Sequence, residues 1–252
     1  MTGPFKNDSS TIVKRISNRS ISANRKRNIF IVLTIALASA LLSAIVLYGF
    51  GVMQETQNRN QKTAQIMYHA ISEQQGQELY KQEEIAWVGE FFNAFSEQVN
   101  HSTVNFTYAN ADMLTSQSMP YSGDLPASED EIVVQESFLD SLGYSNELGQ
   151  TIQIPFSDGT THDFKLTGIL DVKTGDIGRY TAIISKELIR QQYGDEGMID
   201  YYIGLNGAQN MSEEEAANYA NTLAQQLKIS DDNVIVRSTY FNLKDENHGS
   251  DM

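Results

Sequence analysis

The sequence contains no cysteine, which removes disulfide frameworks, thiolate metal sites and thiol nucleophiles together. Its four histidines, His69, His101, His162 and His248, stand apart, with no second ligand at metal spacing. His162 beside Asp163 follows a turn, where a polar pair on the solvent face of a strand is the plain expectation. No Gly-x-Ser-x-Gly elbow, supported Ser-x-x-Lys set or phosphate-binding Gly-x-x-x-x-Gly-Lys loop occurs. The chain is therefore expected to be no enzyme and to hold no metal or cofactor. The carboxylates offer no exception. Glu129, Asp130 and Glu131 precede a strand, Glu213, Glu214 and Glu215 fill the first turn of a helix, and Asp231 and Asp232 lack the spacing of a calcium loop.

Long apolar runs are also lacking, with one exception. Residues 29–52 carry no charge, and about 24 residues suffice to cross a hydrocarbon core as a helix. The run follows Arg25, Lys26 and Arg27 directly. Flanking cations resist translocation, so this basic triplet is the topology signal and the N-terminus is expected in the cytoplasm. Every later apolar patch is interrupted by Glu, Asp, Gln or Asn, which places the remainder outside. A cleaved signal peptide is the competing reading, since Ala36, Ala38 and Ala40 offer small residues. Apolar character continues through Leu41, Leu42, Ile45, Val46 and Leu47, beyond any such cleavage point, and favours an uncleaved anchor.

Charge agrees with this topology. Lys6, Lys14, Arg15, Arg19, Arg25, Lys26 and Arg27 oppose only Asp8 before the run, while the whole chain carries a net charge of −14. A basic tail beside a membrane orients the chain and contacts anionic lipid. The acidic outer part would repel nucleic acid, so none is expected as a partner. Within the tail, Ile12, Val13, Ile16 and Ile21 among Lys14, Arg15 and Arg19 fit either a short interfacial helix or a disordered leader. Inside the apolar run, Ala36, Ala40 and Ala44 recur every fourth residue, a narrow strip suited to packing against another membrane helix.

The chain divides into a basic tail (1–28), a membrane helix (29–53), a polar stretch (54–84), an outer domain (85–245) and a polar end (246–252). Sparse apolar points at Ile66, Met67, Ala70, Ile71 and Leu79 give 54–84 the look of a helical stalk. From Ile85 the period shortens. Ile85, Trp87, Phe91 and Phe92, then Val104, Phe106 and Tyr108, nearly alternate and predict strands. The aromatic residues of these segments, Phe95 included, are expected mainly in the core, with a ligand groove as the lesser reading. Residues 119–127, with Pro120, Gly123 and Pro126, predict a loop. Further strands are predicted over 131–134, 151–156, 163–170, 179–185, 201–206 and 234–237. Ser157, Asp158, Gly159 and Thr160 should close a hairpin between the second and third of these. Helices are predicted over 137–142, 186–193 and 212–228, the last opened by a Ser212 and Glu215 capping box. Irregular mixing of strands and helices predicts an α+β domain with a mainly antiparallel sheet.

With this layout, the chain resembles the N-terminal part of an FtsX-like, MacB-type ABC transporter permease. The resemblance rests on Asn24-Arg-Lys-Arg-Asn-Ile-Phe entering the apolar run and on Leu47-Tyr-Gly-Phe-Gly-Val-Met after it. It rests also on Glu129-Asp-Glu-Ile-Val-Val, Ser137-Phe-Leu-Asp-Ser-Leu-Gly, Leu148-Gly-Gln-Thr-Ile and Phe164-Lys-Leu-Thr-Gly-Ile-Leu. It implies an extracytoplasmic core domain in the cell membrane, working with a cytoplasmic ABC ATPase subunit. The outcome it implies is export of a peptide or lipid, or resistance to antimicrobial peptides. Members of that family carry further membrane helices, which are absent before Met252. The resemblance therefore implies a fragment of a longer permease, or a second permease chain that supplies the rest. A single-pass extracellular sensor or ligand-binding module is the alternative reading.

Overall fold

The computed structural model describes residues 9–172, 179–194 and 199–241. The polar end 246–252, His248, and Lys6 and Asp8 of the tail lie outside them. Two compact units are present, 1–57 and 58–252.

The first unit is helical. Helix α1 (Ser9–Ala23) carries Lys14, Arg15 and Arg19 of the basic tail, and α2 (Arg25–Lys62) begins after Asn24. Within α2, Arg25–Gly51 is long and apolar enough to cross a membrane. Its large side chains are exposed, from Ile31 at 46% to Tyr48 at 76%. An apolar surface this continuous is stable only against lipid or other apolar helices. Thr34 and Ser39 donate their hydroxyl protons to the carbonyls of Phe30 and Ile35, both at 2.8 Å, so these polar side chains are satisfied within the helix itself.

Among the described residues, the second unit is built on one ten-stranded sheet. Its elements in chain order are β1 (Ile66–Ile71), α3 (Glu73–Leu79), β2 (Ile85–Val99), β3 (Ser102–Ala109), α4 (Ala111–Ser116) and β4 (Tyr121–Gly123). There follow β5 (Glu131–Gln135), α5 (Glu136–Leu142), β6 (Thr151–Pro155), β7 (Thr161–Leu170), β8 (Arg179–Ile184) and α6 (Lys186–Tyr193). Next come β9 (Ile199–Leu205), α7 (Glu213–Leu227) and β10 (Val234–Val236). The strand order is β10-β1-β9-β2-β3-β8-β5-β7-β4, with β6 also paired to β7. Among the described residues only β3 with β8 and β5 with β7 run parallel, so the sheet is mainly antiparallel as expected.

Two expectations are corrected. The polar stretch 54–84 is not one helical stalk: α2 ends at Lys62, the sheet already begins at Ile66, and helix returns only in the short α3. Ile66, Tyr68 and Ile71 are buried at 0%, 0% and 3%, a strand-like set seated between β9 and β10. Ala70, counted on a helical face, sits at φ 46°, left-handed backbone that no α-helix contains. It marks the register shift between Tyr68 and Ile71. The outer domain therefore starts some twenty residues before Ile85, close to the end of α2. The expected loop 119–127 contains β4, which pairs three residues with β7.

Alternation sorts the side chains into separate cores. One gathers Ile66, Tyr68, Tyr201 and Ile203 under Leu79 of α3 and the Ala216, Ala220 and Leu223 face of α7. A second packs Phe106, Ile132, Val134, Leu166 and Ile184 under α5 and α6. Their immediate neighbours Val133 and Ile183 point the other way, joining Met113 and Leu114 of α4 in a third. Phe92 and Tyr108 touch both of the first two cores.

Candidate functional site

Where the first two cores meet, charges gather around one buried carboxylate. Glu90 lies in β2 and is only 4% exposed. Its neighbours in the strand, Gly89 and Phe91, are apolar, so a carboxylate here needs partners from elsewhere. Asn110, the N-cap of α4, fixes the backbone at this point. Its side-chain carbonyl accepts from the Glu90 N–H at 3.0 Å, and its amide donates to the Val88 carbonyl at 2.8 Å.

The partners come from two helices, one over each core. On α6, the buried N-cap Ser185 accepts from the Leu188 N–H and sets the helix start. Lys186 and Arg190 then fall four residues apart on one face. On α3, a capping box between Ser72 and Gln75 places Glu73 in the first turn. Lys186 Nζ reaches Glu90 Oε2 and Glu73 Oε1, each at 3.0 Å. Arg190 Nη2 meets both Glu73 oxygens, at 2.6 and 2.5 Å. The hydroxyls of Tyr80 and Tyr108 donate to Glu90 at 2.9 and 2.7 Å, and Lys186 lies 5.9 Å from the Tyr108 ring centre. Two carboxylates and two cations thus balance around Glu90, whose burial would penalise its charge alone.

The electrostatics follow from these contacts. The Arg190 guanidinium, more than Lys186, holds the Glu73 carboxyl below the usual carboxylate range. Arg190 is raised in return, chiefly by its bonds to Glu73. Burial first, and the Glu90 charge second, push the hydroxyls of Tyr80, Tyr108 and Tyr201 well above the ordinary phenol value. Such tyrosines stay neutral, and Tyr80 and Tyr108 serve as donors, opposite to what nucleophilic or base chemistry requires. Tyr201 Oη is buried without a hydrogen-bond partner among the described residues. Helix α3 can lie against this ring only because residue 76 is glycine. A Cβ there would stand 2.1 Å from Tyr201 Cζ.

A second fixed point lies at the end of α2. Residues 63–65 alone separate α2 from β1. Gln65 is 1% exposed and fastened on every side. Its N–H donates to Ile203 at 2.9 Å, its carbonyl accepts from Arg237 at 2.8 Å, and its side-chain oxygen accepts from the Leu205 N–H at 2.8 Å. Its side-chain amide donates to the Thr63 carbonyl. The entry into the sheet is thus rigidly tied to β9, the strand that also carries Tyr201.

The residues singled out from sequence lie elsewhere. Arg25, Lys26 and Arg27 open α2 and are exposed, and Ala36, Ala40 and Ala44 lie along its uncovered surface. They belong to the helical unit and have no part in the charge group. Among the described residues, no three His, Cys, Asp or Glu side chains are placed to hold a metal. His69 pairs with Asp200 at 2.6 Å, and His162 rests 4.2 Å from the Phe156 ring. Sequence reasoning missed Glu73, Glu90, Lys186 and Arg190. The available signals were a carboxylate flanked by apolar residues in a strand and two cations at helical spacing.

Residues 29–236 match the model of a family described as the MacB-like periplasmic core domain. Among solved structures, the chain is similar to the periplasmic region of MacB from Actinobacillus actinomycetemcomitans. The identity is 11% and the TM-score 0.49, over 74% of this chain and 92% of that one. It is also similar to the extracellular domain of the noncanonic ABC-type transporter YknZ from Gram-positive bacteria. There the identity is 11% and the TM-score 0.47, over 69% of this chain and 98% of the other. No curated protein sequence matches.

Proposed function

Because the chain belongs to the family of MacB-like periplasmic core domains, we propose that it is the anchored, N-terminal part of an ABC transporter permease. In this reading a cytoplasmic ABC ATPase subunit hydrolyses ATP. The remaining permease helices, or a second permease chain, share the membrane with α2. Motion of α2 is delivered to the outer domain, and the result is export of a peptide or lipid, or resistance to antimicrobial peptides. The N-terminus is cytoplasmic, with its cations against anionic lipid. The chain itself catalyses no reaction.

One observation carries the mechanical part. Only residues 63–65 separate α2 from the sheet, and the last of them, Gln65, is buried and hydrogen-bonded to the strands around it. A joint this short and this tightly held leaves little slack, so displacement of the helix end pulls on β1 and β9. From β9 the displacement reaches Tyr201, α3 and the Glu73 contacts to α6, and so the second core. The Ala36, Ala40 and Ala44 strip serves as the face where another membrane helix packs.

The test is recovery of partners. The tagged chain, purified in mild detergent from its own cells, is expected to bring down an ABC ATPase and a polytopic permease segment in fixed proportion. Recovery of neither contradicts the proposal and favours a stand-alone sensor.

A further inference from the structure

At the far side of the second core, a groove opens between α6, the start of β5 and the β6–β7 hairpin. Its floor is aromatic: Phe95, Phe156 and Phe164, with the His162 ring lying against Phe156 at 4.2 Å. Phe95 stacks on the buried Phe106 at 4.6 Å between ring centres and meets Phe156 edge-on at 5.8 Å, so packing holds these rings in place. Glu129 and Asp130 stand at the rim. Their carboxylates have no hydrogen-bond or ion-pair partner among the described residues, and no Lys or Arg lines the groove. The neighbouring Lys165 is engaged by Glu131 at 3.0 Å.

Beside this groove one stretch of sheet edge is open. Leu166 bonds through its N–H and its carbonyl to Gln150 and Gly149, so even-numbered residues of β7 address β6. Lys165 donates to the Asp130 carbonyl at 2.7 Å, so odd-numbered residues address β5. The β5–β7 pairing begins at Glu131 and Lys165. On that side, among the described residues, no strand pairs with 161–163.

Size and charge select the occupant. The groove holds about 190 Å³, below the roughly 300–1,000 Å³ of sites that enclose a whole small molecule. It accommodates a single side chain. Fixed rings next to unpaired carboxylates suit a guanidinium, which stacks on aromatic faces and pairs with carboxylates. Beyond Lys62 the sequence has 30 acidic and 9 basic residues, a field that attracts a basic partner from a distance.

We propose that this groove binds a basic, extended segment of a partner polypeptide. An arginine of that segment lies against Phe95 and the Phe156–His162 ring pair, beside Glu129 and Asp130, and its backbone adds to β7 at 161–163. This does not depend on ATPase coupling, and its failure would leave that reading intact.

The test uses the full chain in nanodiscs and a fluorescein-labelled octapeptide of alternating valine and arginine, titrated at low salt by fluorescence polarisation. The expected result is saturable binding that weakens at least tenfold in the Glu129→Gln/Asp130→Asn double variant. It should change less than twofold in a Glu83→Gln/Glu84→Gln double variant on the side of the first core. Phe156→Ala should weaken it as well, without removing any charge. Equal losses in the two double variants would reduce the effect to general acidity and overturn the site. So would absence of binding. Competition by arginine amide as effective as the peptide would overturn the polypeptide assignment in favour of a small cation.

Discussion

Replacing Glu90 by alanine should unfold the outer domain more easily than any surface change. Two unit charges 3.0 Å apart, as Glu90 and Lys186 are, attract by about 5 kcal/mol at an effective dielectric constant of about 20. Desolvation of both ions offsets most of that, so the pair as a whole contributes little. Removing one member is different, because the other stays behind, and for buried pairs this costs about 3–5 kcal/mol. Lys186 keeps Glu73 at 3.0 Å, and its side chain is 18% exposed, which sets the loss near the lower end. Tyr108 also loses its 2.7 Å acceptor, adding about 1 kcal/mol, whereas Tyr80, which loses its acceptor too, is 45% exposed and turns to water. The total is about 3–4 kcal/mol, or about 1–2 M in a urea midpoint for a slope of about 2–3 kcal/mol per M. Trp87, the one tryptophan of the sequence, lies in β2 and reports unfolding of the full chain in detergent by its fluorescence. The thermodynamic cycle with Lys186→Met is decisive: the double variant should lose at least about 1 kcal/mol less than the two single losses combined. Additive losses, or a Glu90→Ala loss below about 0.5 kcal/mol, would refute the reasoning.

Two further outcomes concern the same region. Tyr201→Phe removes a buried hydroxyl without a hydrogen-bond partner among the described residues. Thermal unfolding should therefore show it neutral or more stable by up to about 1 kcal/mol. Gly76→Ala places a methyl against that ring and should cost at least about 2 kcal/mol in the same assay. The lowered pKa of Glu73 has a definite sign. Its stabilisation is complete above the ordinary value of 4.5 and is lost as pH falls through the lower folded value. Glu73→Gln should therefore be less stable at neutral pH and should flatten the stability curve below about pH 4.5. An unchanged acid limb in urea titrations would contradict the assignment.

Local chemistry made much of the second unit legible in the sequence. The Ser212 and Glu215 box forms as expected, with both reciprocal bonds opening α7. Gly143 takes the left-handed conformation, φ 79°, that ends α5, and α6 runs over the residues its pattern implied. The hairpin around Gly159 closes as its turn residues demand. What failed was tertiary. Ile66, Met67, Ala70 and Ile71 satisfy a helical period, and only pairing with β9 and β10 decides for a strand. The short α4 and β4 are held by contacts distant in sequence, such as Asn110 to β2 and Tyr121 to Leu170. The charge group was invisible for the same reason, since Glu73 and Arg190 lie 117 positions apart. Phe95 shows the limit of the aromatic pattern. It stacks on the core residue Phe106 and also forms the floor of a groove, and alternation cannot separate the two.

The central claim is one of sidedness: a basic leader inside, one membrane helix, and the sheet domain outside. Absence of cysteine makes it directly measurable, because every labelled thiol will be an introduced one. Glu147→Cys and Lys14→Cys place thiols at exposed positions of the two units. In cells with an intact plasma membrane, an impermeant maleimide should label the first variant and should reach the second only after permeabilisation. Labelling of the Lys14→Cys protein in intact cells, or protection of the Glu147→Cys protein, would contradict the account.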